Sequence, residues 1–178
     1  MSLKAILCEG SAEQAIIQRL LEYSRLKIKQ EDILDNAPIR IRSANKFCEK
    51  YLRRNFDGKV TVYRVLDSRN ENFRLTGQNK KSFEDKLDVI NIITAPEIEI
   101  LYILAEDKYQ KYQKSKKKAS EFCKQDLKCR EVKSYDFIYS YFADIDKLLT
   151  VLKEYDRIHK KQSDEFSLYD LLDTQYKT

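Results

Sequence analysis

The chain has 178 residues, 42% of them hydrophobic and 35% charged, with a formal net charge of +5. That length suits one domain with a sizeable core, and the composition lies outside the disordered regime. Three Gly and two Pro speak against a loop-rich or all-β architecture, and no apolar run is long enough to cross a bilayer.

The first residues lack the charged, apolar and small-residue order of a secretory leader, so a cytoplasmic protein is expected. Cys8, Cys48, Cys123 and Cys129 form no CxxC pair, and His159 is the single histidine. A zinc site and a Ser-His or Cys-His nucleophile therefore have little support, and reduced thiols are expected. His159, in "DRIHKK", reads as an exposed helix residue. The mild positive charge permits anionic partners without requiring one.

In chain order, Leu3 to Cys8 reads as a strand, Glu9-Gly10 as a turn, and Ile16, Ile17, Leu20 and Leu21 as one helix stripe. Ser11 with Gln14 fits a capping box at the start of that helix. Pro38 to Arg42 alternates as a short strand, followed by a helix with Phe47, Tyr51 and Leu52 on one face. Residues 59–67, "KVTVYRVLD", are β-branched and mostly apolar, the pattern of a central strand. Ser68 to Lys81 reads as a loop. Val89 to Ile93 supplies another strand, and a helix is expected from about Pro96, since a first-turn Pro loses no intrahelical bond.

Strands alternating with helices, and apolar along their length, indicate a parallel sheet covered on both faces. The expected fold is α/β, with about four parallel strands in residues 1–118. Residues 119–178 are expected to form a helical C-terminal extension packed on that domain as one structural unit. There Ile145, Leu148, Leu149, Leu152 and Tyr155 follow helical steps, and a last short helix is expected near Leu168 to Leu172.

Ligand sites of open parallel sheets lie beyond the carboxyl ends of the strands, and this rule sorts the acids. Glu9 follows the first strand, Asp67 ends the central one, and Glu97 and Glu99 follow the last. Glu13 is one turn into the first helix. Oxygen ligands at loop ends suit Mg2+ or Mn2+, which take one or two carboxylates plus phosphate oxygens. The same acids near helix starts are also favourable for dipole reasons alone, worth about 0.3–1 kcal/mol each. Asp67 and Glu9 are the harder pair to explain that way, because a strand exit has no need of an acid.

In this order, a strand followed by "CEGSAEQ", then "VLDSRNENF", then "ITAPEIEIL", resembles the Toprim superfamily and within it the RloB-like branch. The likeness spans residues 4–105 and a basic-to-helical tail. It implies a Toprim-like parallel sheet and Mg2+- or Mn2+-dependent phosphodiester chemistry, that of a nuclease or related phosphotransfer protein acting on DNA or RNA. By the same likeness Glu9 takes the general acid–base position and Asp67 that of the first metal-binding aspartate. Glu13 and Glu99 match further acids of the branch. The family's second aspartate falls here on Arg69. Either Glu71 replaces it from two residues further on, or the site binds metal poorly. Arg69 would then contact phosphate as a bidentate donor. RloB-like chains are associated with bacterial restriction and phage defence, which adds a protein partner of such a system to nucleic acid as an expected partner.

Lysines from Lys108 to Lys118, interleaved with Tyr109 and Tyr112, read either as a solvated helix end or as a track for a phosphate backbone. In the second case Lys116, Lys117 and Lys118 carry the contact. Arg40, Arg42, Arg53, Arg54 and Arg64 add basic content to the sheet half. The aromatics of "SYDFIYSYF" read as core rather than as stacking platforms. Two functions remain: a Mg2+-dependent nuclease, or a non-catalytic relative with a degenerate acidic site that binds nucleic acid or a protein.

Overall fold

The structure, a computed structural model, describes residues 3–52, 58–162 and 164–177. Three strands, β1 (Leu3–Cys8), β2 (Val60–Leu66) and β3 (Leu87–Ile93), form one parallel sheet in the order β1-β2-β3. Between them run helices α1 (Ser11–Glu22), α2 (Ala44–Tyr51) and α3 (Gly77–Phe83). Helices α4 (Ile100–Ala105), α5 (Tyr109–Ser115), α6 (Ala119–Gln125), α7 (Tyr135–Tyr141) and α8 (Ile145–Ile158) follow. No helix among the described residues is long and apolar enough to cross a membrane.

Strand alternation divides the core into two layers. Ala5 and Leu7 of β1 join Val60 and Val62 of β2 on the face covered by Phe47, Cys48 and Leu52. Ile6, Cys8, Val65 and Ile92 point the other way, into the larger cluster built by α1, α4, α6 and α8. Successive side chains of a strand alternate faces, so both layers were encoded in six-residue runs. On α8 the stripe Ile145, Leu148, Leu152 and Tyr155 is buried, with Leu149 half-buried at its margin. Each such side chain stabilises the fold by about 1.5–3 kcal/mol relative to exposure. The aromatics of α7 pack against the same cluster, with Phe142 fully buried.

Several local expectations are corrected. The sheet has three strands rather than about four. The segment expected as a strand at Pro38–Arg42 contributes one bridging residue, Ile39, whose backbone bonds Ile6 and Cys8 at 2.8 and 2.9 Å. Pro38 lacks a backbone donor, and the side chains of Arg40 and Arg42 turn toward Ser11 and the Glu9 carbonyl instead of extending the ladder. The first helix is capped by Gly10, not by a capping box. Ser11 Oγ accepts from Arg40 at 2.9 Å, and Gln14 Nε2 donates to the Pro38 carbonyl at 3.2 Å. The loop expected from Ser68 to Lys81 is half right, since α3 begins at Gly77. The helix expected from Pro96 starts four residues later, at Ile100, after a cis Ala95–Pro96 bond and a turn through Glu99. Arg53 and Arg54 lie outside the described residues.

Strand β3 is less apolar in its environment than a doubly covered strand. Asp88, Val89 and Asn91 are exposed, because β3 is an edge strand. Its C-terminal end is covered: Ile93 N–H donates to the Phe166 carbonyl at 2.7 Å, and Ile92 bridges Phe166. The C-terminal segment thereby reaches the edge at which all three strands exit.

Candidate functional site

Parallel pairing brings the three strand exits side by side. Cys8 pairs with Val65, and Leu66 with Ile93, so the residues that follow share one edge. The ladder continues one step beyond the strands: Glu9 N–H reaches Val65 O at 3.4 Å, and Thr94 N–H reaches Leu66 O at 2.8 Å. Those bonds fix where Glu9, Asp67 and the turn to Glu99 begin.

A cleft of about 140 Å3 opens at this edge, lined by Glu9, Glu13, Asp67 and Glu99 and by the cations Arg42 and Lys133. The sequence placed these four acids after strand ends, and they meet at this cleft. Glu71 is exposed and does not line it, although its charge acts on Glu9. Glu97 serves structure: its carboxylate accepts from the Ser120 amide at 2.7 Å and the Ser120 hydroxyl at 3.1 Å, at the start of α6.

Glu9, Glu13 and Glu99 are buried well beyond the norm for carboxylates, and Asp67 is half-buried. Glu99 is 1% exposed, with its Oε1 paired to Lys133 Nζ at 2.9 Å, while its Oε2 and the Oε1 of Glu9 meet no donor among the described residues. Burial raises the Glu99 carboxyl above its ordinary range, opposed mainly by Lys133. Burial likewise raises Glu9, reinforced by Glu71 and Asp67 and opposed by Arg42 and Arg64. Glu13 is pushed up to about 7, first by burial and then by the charges of Asp67, Glu99 and Glu9, while its own amide pulls the other way.

Gly10 explains how Glu13 fits. A Cβ on Gly10 would lie 2.3 Å from Glu13 Oε2, so the carboxylate folds back over a residue with no side chain. The Gly10 backbone is extended and open to any residue, so the constraint comes from the carboxylate alone. Gly10→Ala is therefore expected to swing Glu13 out of the cleft with little loss of stability. A normal far-UV spectrum, with a melting point equal to the wild type's in acid and higher above neutral pH, where the wild type carries a charged Glu13 inside the cleft, is the expected pair of results.

Other sequence-chosen residues fall elsewhere. Lys116, Lys117 and Lys118 form the turn between α5 and α6 and do not line the cleft. Lys117 pairs with Asp126 at 2.6 Å, and Lys116 ends α5 at a positive φ. Arg69 makes a bidentate pair with Glu165, at 2.9 and 3.0 Å. His159 is not an exposed helix residue. It caps α8, with its side chain 7% exposed and hydrogen-bonded to Glu165 and Tyr155.

Sequence reasoning missed Lys133, Arg42 as a rim residue, and Glu165. Lys133 sits in a basic stretch whose other lysines are solvated, and nothing in its spacing marks it. Arg64 is buried in the middle of β2, bonded to Asn91 Oδ1 at 3.2 Å and beneath the Phe73 ring, which a strand pattern alone does not reveal.

Among the described residues no three of His, Cys, Asp and Glu gather closely enough to hold a metal ion. The orphaned oxygens of Glu99 and Glu9 still suit a hard cation, and Mg2+ needs only one or two carboxylates when water and phosphate complete its shell. The residues fit such an ion as a partial shell. Comparison with family models, with curated proteins and with solved structures finds no match to this chain.

Proposed function

We propose that the chain is a Toprim-like, RloB-like protein whose cleft binds Mg2+ or Mn2+ and acts on a phosphodiester bond of DNA or RNA. The observation that carries this reading is the meeting of four acids from three parallel strand exits around buried oxygens that have no donor. Asp67 and Glu99 would hold the ion; Glu71, outside the cleft with its charge acting on Glu9, would have to move to join them. The ion would supply charge neutralisation and orientation at the phosphate. Arg42 and Lys133, at the rim, attract the phosphate backbone. Glu13, with its carboxyl near neutrality, exchanges a proton in either direction at cellular pH, and Glu9 shares that role. The phage-defence setting and a protein partner there are supported by the sequence likeness alone.

Two observations favour the non-catalytic reading as a second possibility. The position of the family's second aspartate is a cation, Arg69, engaged by Glu165, and Lys133 already neutralises Glu99. The test is cleavage of single- and double-stranded DNA and RNA with Mg2+ or Mn2+, alongside melting with and without the metal. Metal-dependent cleavage that Asp67→Asn removes, together with its metal-induced stabilisation, is the expected result. Salt-sensitive nucleic-acid binding without cleavage in any metal would select the second reading. Cleavage undiminished in Asp67→Asn would overturn the assignment of the cleft.

A further inference from the structure

We infer that Glu165, held between His159 and Arg69, is a positioning residue that ties together the two loops carrying Asp67 and Glu99. The Tyr155 hydroxyl donates its one proton to the Ala95 carbonyl at 2.8 Å, and a carbonyl can only accept. His159 Nδ1 lies 3.1 Å from the same hydroxyl, with the two rings stacked. The other ring nitrogen, Nε2, lies 2.8 Å from Glu165 Oε1. An ionised carboxylate only accepts, so Nε2 is the donor of that bond. Burial opposes charge on Glu165, yet His159, the Gln162 amide and Arg69 together hold its carboxyl below the ordinary value. Burial keeps Tyr155 protonated.

The chain of contacts ends at both strand exits. Arg69, two residues beyond Asp67, donates to both oxygens of Glu165. Ala95, four residues before Glu99, accepts from Tyr155. His159 stacks on Tyr155 with ring centroids 4.9 Å apart, and the side chains of His159 and Glu165 are 7% and 5% exposed. The remaining charged neighbours are Asp156, which acts on Tyr155, and Asp164, beside Arg69 and Glu165 in a shallow pocket. A charged pair shielded from water is strong when complete and costly when one partner is removed. Residues behind metal-binding carboxylates commonly set affinity by 10–100-fold when removed, and these occupy that position for the proposed cleft.

Glu165→Gln and Arg69→Gln should each weaken the Mg2+-induced rise in melting temperature, as a fall of about 10–100-fold in apparent affinity. Arg69 is partly exposed, so its replacement cuts the tie with the fold intact even where Glu165→Gln disturbs folding. Equal Mg2+ affinity in wild type and Arg69→Gln would overturn the positioning role alone. The role rests on the proposed metal reading of the cleft, and no Mg2+ effect in the wild type would overturn that reading and the role with it.

Discussion

Replacing Glu13 by Gln is expected to stabilise the metal-free protein above neutral pH and to cut metal-dependent cleavage by about 10²–10⁴-fold. The two effects have one cause. Glu13 is 4% exposed and stands among Asp67, Glu99 and Glu9, so charging it inside the fold is unfavourable. Its carboxyl rises from 4.5 to about 7. Between those values the unfolded chain has released the proton and the folded chain still holds it, so stability falls as pH rises across that window. Below about pH 4.5 the penalty is absent, and above about pH 7 it is complete and constant. At about 1.4 kcal/mol per pH unit the full penalty is of order 3 kcal/mol. Gln keeps the shape and removes the charge. Urea denaturation at about pH 5 and about pH 8, without divalent ions, should show the variant's advantage growing with pH. An advantage of the same size at both pH values would sink the account, because it would not arise from ionisation. Loss of proton transfer follows from the same change, since an amide neither takes up nor releases a proton in this range. Stability gained at the cost of activity is the usual mark of a strained functional site.

The elements legible in the sequence were those whose signal is local. Short apolar, β-branched runs located β1, β2 and β3 within a residue or two, and the spacing of Ile145, Leu148, Leu152 and Tyr155 located α8. The rule that ligands sit beyond the carboxyl ends of parallel strands brought Glu9, Asp67 and Glu99 into consideration, and with Glu13 they line one cleft. What escaped depends on contacts between distant residues. Arg69 and Glu165 are 96 residues apart, and neither carries a sign that the other exists. His159 lies in a run of charged residues, yet a chain reversal after α8 folds Glu165 back over it. Ile39 looked like part of a strand because Ile39 and Ile41 alternate, but alternation does not reveal whether neighbouring backbone groups will pair. Lys133 was invisible for the same reason, since its role exists only where Glu99 is buried.

Lys133→Met is expected to lower the stability of the metal-free protein more as pH rises, and to raise its affinity for Mg2+. Lys133 Nζ, 2.9 Å from Oε1, is the ion-pair partner of the buried Glu99 carboxylate. Removing one partner of a buried pair costs about 3–5 kcal/mol when the other must stay charged. Here the loss should be smaller, about 1–3 kcal/mol, because Lys133 is 62% exposed and already screened by water. Glu99 also has a way out. Burial raises its carboxyl, and without the ammonium the rise is larger, so the group takes up a proton. A carboxyl raised in the fold leaves stability intact at acid pH and removes it as pH climbs through the folded value. The deficit of the variant should accordingly be small in acid and widen toward alkaline pH. Divalent cations supply the missing positive charge, and the ion no longer competes with an ammonium for Glu99. Melting curves over a Mg2+ series should show a larger stabilisation in Lys133→Met than in the wild type, with apparent affinity raised by about ten-fold, equivalent to about 1.4 kcal/mol. A deficit independent of pH would assign Lys133 to packing alone. A variant that loses its response to Mg2+ would instead show that Lys133 helps to hold the ion's site together, contrary to the role of resident counter-charge. Lys133→Arg separates charge from shape, because it retains the cation and should keep both the pH profile and the weaker Mg2+ response of the wild type.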